Sequence, residues 1–126
     1  MEYRKLNSTE IIQLEQQACS AEDWDTISVH PEANLKYIRS VRFSGECRIG
    51  CFEKSFTMPG GMRKHSGLYH ATLHNVVIGD NCCIENIKNY ISNYEIGDDS
   101  FIENVDIIIC DGPSTFGNGV DVSVLN

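Results

Sequence analysis

Three of the four histidines, His65, His70 and His74, lie in one short stretch and are the side chains best suited to moving a proton. An imidazole titrates near pH 6.5, so it can take a proton from a hydroxyl or ammonium group and give it up again. His70, within Tyr69-His70-Ala71-Thr72, is the first candidate for a general base and His74 the second. The alternative for each is an ordinary corner or surface side chain. Arg63-Lys64-His65 is a compact basic cluster of the kind that holds a phosphate or other anion. Gly60-Gly61 beside it could bring backbone N–H groups to the same anion, and a solvated loop is the plainer reading. Glu85-Asn86 and Glu103-Asn104 recur at a separation of 18 residues. If they stack, two carboxylates about 5 Å apart repel unless a cation or donor lies between them. Asp80 and Asp98 recur at the same separation and read as corner residues.

The six cysteines include Cys47, Cys51 and the adjacent pair Cys82-Cys83. None forms a Cys-x2-Cys pair at zinc-finger distance from another, so no metal is expected. Met1-Glu2-Tyr3-Arg4-Lys5 lacks the apolar stretch of a signal peptide, which points to the cytoplasm and to reduced thiols. Several of these thiols should serve as small core fillers. With 126 residues and 41% hydrophobic content, the chain has one modest core. It contains no apolar run of transmembrane length. A net charge of −8 excludes a general nucleic-acid binder. That charge is confined to 66–126, where nine acids face only Lys88; residues 1–65 balance.

An internal repeat must position these groups. Residues 78–87 read Ile-Gly-Asp-Asn-Cys-Cys-Ile-Glu-Asn-Ile, and residues 96–105 read Ile-Gly-Asp-Asp-Ser-Phe-Ile-Glu-Asn-Val. A degenerate copy starts at Phe116 and an earlier one at Phe43. Within the copies an apolar residue returns every six places: Ile78, Ile84, Tyr90, Ile96, Ile102 and Ile108, then Phe116 and Val122. Small residues follow four places on, at Cys47, Cys82, Ser100 and Val120. A beat of six is neither helical nor a simple strand alternation. It fits a short strand and a tight corner repeated, with glycine free to take a positive φ and Asp or Asn bonding to nearby backbone. Three such sides make an 18-residue coil, and stacked coils give an all-β, three-sided solenoid of parallel strands.

Ile-Gly-Asp-x-Cys/Ser-x-Ile-Glu-Asn resembles the hexapeptide repeat of left-handed parallel β-helix proteins, the bacterial hexapeptide transferases and their relatives. The resemblance is firm over 73–107 and looser over 41–72 and 108–125. The left hand comes from the resemblance alone, because parallel crossovers are normally right-handed. The stretch from Gly67 to Asn75 also resembles the start of a longer, uncharacterised bacterial hexapeptide-repeat family. The resemblance implies a homotrimer that moves an acyl group, commonly acetyl, from acyl-CoA to a small sugar or amino acceptor. His70 or His74 would then be the base, with Arg63, Lys64 and His65 binding CoA. Two other readings stand beside it. One is a non-catalytic β-helix scaffold, or a fragment of a larger protein, whose open strand edge takes a partner. The other is a zinc protein similar to γ-class carbonic anhydrases, suggested by His65-x4-His70 with His30 as a remote third ligand.

The first forty residues read differently. Asn7 and Glu10 form a capping-box pattern, followed by Ile11, Leu14 and Ala18 at helical spacing, which predicts a helix over 8–18. Trp24 and Ile27 would anchor this segment on the first coil. The chain thus divides into a helical cap and linker over 1–40 and a hexapeptide-repeat domain over 41–126, interrupted by a loop at Met58-Pro59-Gly60-Gly61.

Overall fold

The computed structural model describes the backbone over residues 2–116 and 121–123, and side chains through Ile108. The fold is mostly β, with one α-helix. The capping box is present in full: Asn7 Oδ1 accepts from Glu10 N–H at 2.8 Å, and Glu10 Oε1 accepts from Asn7 N–H at 3.1 Å. It starts helix α1, Ser8–Gln16, which seats Leu14 in the core. Arg4 closes the same end by a two-pronged pair with Glu10, both contacts at 2.7 Å.

The strands run β1 Arg4–Lys5, β2 Ser20–Ala21, β3 Ile27–Val29, β4 Ile38–Ser44, β5 Cys47–Ile49, β6 Ser55–Thr57 and β7 Arg63–His65. They continue as β8 Gly67–His74, β9 Val77–Ile78, β10 Cys83–Glu85, β11 Tyr90–Ile96, β12 Phe101–Glu103, β13 Ile107–Phe116 and β14 Asp121–Ser123. Their pairing sorts them into three columns of parallel rows. In the first, Ala21, Phe43, Leu73, Ile91 and Ile108 lie in register. In the second, Val29, Ile49, Ile78, Ile96 and Phe116 do so. In the third, the order is Ile38, Leu68, Ile84, Ile102 and Val122. The chain visits the third, first and second columns in turn and then moves up one row. Parallel pairing already begins at Ser20, inside the stretch read from sequence as cap and linker.

The described registered side chains face one another and form the core. Ile49, Leu68, Leu73, Ile78, Ile84, Ile91, Ile96 and Ile102 are all at most 1% exposed. Each such aliphatic burial contributes about 2 kcal/mol. The expected beat of six holds at Ile78, Ile84, Ile96, Ile102 and Ile108 but fails at Tyr90. The core position there is Ile91, one residue later, while Tyr90 is half-buried. The copy starting at Phe43 also belongs elsewhere, since Phe43 pairs with Leu73 in the first column and not with Ile78 in the second. The copy at Phe116 is in the expected column, paired with Ile96. Val120 lies outside the described residues.

Corners depend on left-handed backbone. Ser40, His70, Asn86 and Asn104 turn the chain out of the third column with φ of 56, 55, 56 and 57°. Asn81 and Asp99, both at 60°, do so after the second. Asn and Asp tolerate this region because their short side chains bond locally. The glycine of Ile-Gly-Asp has a different task from the one expected: the left-handed residue is Asn81, two places beyond Gly79. A Cβ on Gly79 would lie 2.4 Å from Asp98 Oδ1, and one on Gly50 would lie 2.4 Å from Gly79 O. Glycine is required here because successive rows approach closely. The close approach lets Asp98 Oδ1 accept from Asp80 N–H at 2.7 Å, and Asp80 Oδ1 accept from Cys51 N–H at 3.1 Å. Each aspartate therefore caps the backbone one row below.

The loop expected at Met58-Pro59-Gly60-Gly61 is the tip of an antiparallel hairpin, β6–β7, inserted between the second and third columns. It folds back over the outer face of the third column, where Phe56 meets Phe101 edge-on at 5.2 Å and His65 stacks on Tyr37 at 3.7 Å.

Candidate functional site

The third-column corner carries His70, and the hairpin brings Lys64 to the stacked Glu85 and Glu103 of the same column. His70 stands at the corner itself, exposed, with its backbone fixed by Ile87 N–H donating to His70 O at 3.0 Å. It lines an open groove of about 480 Å³ with Asn86, Ile87, Lys88, Asn104 and Asp106. Asn86 and Asn104 stack in that groove, Asn86 Nδ2 donating to Asn104 Oδ1 at 3.3 Å. Asp106 accepts from Asn89 Nδ2 at its edge. The floor is apolar Ile87 and the rim carries amides, one ammonium and one carboxylate. That combination suits a polyhydroxylated or amino-bearing small molecule.

His74 is placed differently. Its Nδ1 lies 2.8 Å from Ser44 Oγ and its Nε2 3.1 Å from Asn75 Nδ2. Asn75 Oδ1 accepts from Glu46 N–H at 3.0 Å, which fixes the amide so that Nδ2 points at the ring. His74 Nε2 is therefore an acceptor, its hydrogen sits on Nδ1, and Ser44 Oγ accepts that hydrogen. Both ring nitrogens are committed to holding the first-column corner.

The basic cluster is also divided by the fold. Lys64 Nζ reaches Glu85 Oε1 at 2.6 Å and Glu103 Oε2 at 3.3 Å. The two glutamates are in register on adjacent rows, so Lys64 is the cation that permits their stacking. The ammonium is held above the ordinary lysine value, chiefly by its hydrogen bond to Glu85. Lys64 is thus already engaged, against the expectation of a hook open to phosphate. Arg63 is exposed on the hairpin. His65 lies flat on Tyr37 with Nδ1 2.8 Å from Ser66 O, facing a neighbour of the core and not the groove.

Among the described residues, five cysteines are free and buried: Cys19, Cys47, Cys51, Cys82 and Cys83. Burial pushes the Cys82 and Cys83 thiols up to about 12, which removes them as thiolate nucleophiles and fits the expected filling role. Cys51 is pushed up to about 11 by burial first and then by Asp80 and Glu53. Its ligand atom and those of His30 and Asp80 all lie within 4.8 Å of one another. This grouping was missed in the sequence. The signal is the register of Ile49-Gly50-Cys51 with Ile78-Gly79-Asp80, which places a thiol where the next two rows have the carboxylates Asp80 and Asp98. The pairing of His65 with His70 expected for a carbonic-anhydrase-like zinc site is not the grouping that the fold makes among the described residues.

A family model described as "Domain of unknown function (DUF4954)" matches residues 3–126. The chain belongs to that family. An uncharacterized protein of Treponema pallidum (strain Nichols) is 28% identical over 118 residues, which are 94% of this chain and 16% of that protein. The chain thus spans about one sixth of the length of this relative. No solved structure matches it. Among the described residues no helix is long and apolar enough to cross a membrane.

Proposed function

We propose that the three columns wind as a left-handed parallel β-helix, and that its third-column corner is an acyl-transfer site with His70 as general base. The observation that carries this reading is the position of His70, exposed on a rigid corner inside a groove whose walls are the stacked amides of Asn86 and Asn104. His70 takes the proton from an acceptor hydroxyl or amine, and the freed lone pair attacks the thioester carbonyl carbon of acyl-CoA. The C–S bond then breaks, and the imidazolium returns the proton to the departing thiolate. Asn86 and Asn104 hold the hydroxyls of a sugar or amino acceptor. Because Lys64 is paired, the anionic part of CoA falls to Arg63 and Lys88. His74, locked between Ser44 and Asn75, positions the neighbouring corner and takes no part in the proton transfer. A homotrimer would supply the second wall of the groove.

The test measures thiol release from acetyl-CoA over a panel of amino sugars, together with acetyl-CoA binding by calorimetry. His70→Asn keeps a residue that accepts a left-handed backbone, so the fold survives while turnover falls by about 10²–10⁴-fold. Arg63→Ala with Lys88→Ala should weaken acetyl-CoA binding at least tenfold. The absence of any binding by the parent, or unchanged binding by the double variant, would overturn the reading. A second reading has its own support in the far greater length of the Treponema relative: a scaffold on which further chain is stacked. It requires saturable contact with other protein and no thioester binding.

A further inference from the structure

We infer that His30, Cys51 and Asp80 form a binding site for a thiophilic divalent metal of the zinc class, separate from the His70 groove. The three residues follow β3, β5 and β9, so they come from three successive rows at the exit of the second column. An imidazole, a thiol and a carboxylate, far apart in sequence, have ligand atoms within 4.8 Å of one another. A tetrahedral zinc site with bonds of about 2.0–2.3 Å needs its ligand atoms roughly 3.5 Å apart. Closing the group brings the half-buried side chains of His30 and Asp80 up against a buried Cys51. The mixed N, S, O donor set selects zinc or a similar transition ion over magnesium and calcium, which prefer oxygen alone. Three protein ligands leave a fourth position for water or substrate.

The surroundings favour a cation. Asp80 and Glu53 both act on the Cys51 thiol, and Asp98 stands one row above, against Asp80. On binding, the thiol proton leaves to solvent and the sulfur joins the metal as thiolate. Asp80 Oδ1 meanwhile caps Cys51 N–H, which holds carboxylate and thiol side by side before any ion arrives. His30 Nδ1 accepts from Glu32 N–H at 2.8 Å in the free protein. A metal taking Nδ1 replaces that bond, and a metal taking Nε2 moves the ring hydrogen to Nδ1. Either way the turn after His30 rearranges when the site fills. No metal is expected from sequence because the usual zinc signature is a pair of neighbouring cysteines, and here the rows supply the proximity.

The experiment titrates the reduced chain with Zn²⁺ by calorimetry and with Co²⁺ by absorbance. One equivalent should bind, with a thiolate-to-cobalt charge-transfer band and tetrahedral ligand-field bands. Cys51→Ser abolishes the charge-transfer band and weakens Zn²⁺ at least tenfold. His30→Ala, outside the core, weakens it similarly and serves where the cysteine variant fails to fold by circular dichroism. Acetyl-CoA binding should be the same in all three proteins, which separates this site from the groove. No Zn²⁺ binding tighter than about 0.1 mM by the parent overturns the assignment. Equal binding by parent, Cys51→Ser and His30→Ala overturns it too, since the metal would then sit elsewhere.

Discussion

Lys64 is the residue whose role changes most between chain and fold. Its partners lie 21 and 39 residues away, so nothing local in Arg63-Lys64-His65 announces them. What the sequence does contain is the need: two glutamates one row apart demand a cation, and the hairpin delivers it. Lys64→Met should lower stability by about 1 kcal/mol in a urea melt, a modest value because all three side chains remain partly exposed. Adding Glu85→Gln should recover part of that loss, because it removes the remaining repulsion. The pH dependence has a definite sign. The folded-state value of Lys64 is raised, so its contribution is complete below the ordinary lysine value near 10.4 and fades as pH rises through the folded value. Alkaline melts of parent and Lys64→Met should therefore converge. Glu10 behaves oppositely: hydrogen bonding to Arg4 lowers it, so its contribution is complete above about pH 4.3 and disappears as pH falls through the folded value. Arg4→Ala should flatten that acid limb, measured as melting temperature against pH.

The recurring elements were the most legible part of the chain, and also the part where a correct pattern carried a wrong cause. Ile-Gly-Asp at an 18-residue interval identifies rows in register, as Ile78 with Ile96 and Ile84 with Ile102 confirm. The glycine was read as the turning residue, whereas turning falls to Asn81, Asn86, Asp99 and Asn104. The distinction is testable. Gly79→Ala puts a methyl group against Asp98 and should cost about 1–3 kcal/mol, despite alanine being a mild change elsewhere. Asn86→Gly should be nearly neutral, because glycine takes φ of 56° freely, while Asn86→Val should cost about 1–2 kcal/mol. Tyr90 misled because a strict period of six ignores how many residues a corner consumes. The passage from Ile84 to Ile91 takes seven and that from Ile91 to Ile96 takes five. Of the candidate site, the stacking of Asn86 on Asn104 was legible in their 18-residue separation, whereas the place of His70 beside them depends on the row register. The engaged state of His74 and the His30–Cys51–Asp80 grouping depend on which rows touch, and no single row reveals that.

At the scale of the molecule, the fold is a pile in which, among the described residues, the parallel strands of each row pair with those of the rows above and below. Acids dominate 66–126, where Lys88 is the one base, so in the proposed reading Lys88 and Arg63 of the hairpin supply the cations for acyl-CoA. Light scattering decides whether copies of the 14.1 kDa chain share the groove: a discrete trimer is the expected outcome, and a monomer would remove the inter-subunit wall. The hairpin has a wider consequence. A pile with only nearest-neighbour bonds melts row by row, like a zipper. The strap formed by β6 and β7 leaves between two rows and fastens to Tyr37, Glu85, Phe101 and Glu103, which belong to several. It introduces coupling beyond adjacent rows, so losing one row also loosens the strap on the others. The hairpin should therefore raise the cooperativity of unfolding above that of nearest-neighbour rows alone. Replacing 55–65 with a short Gly-Ser link should split one urea transition into two: Trp24 fluorescence and circular dichroism, coincident in the parent, should no longer trace the same curve.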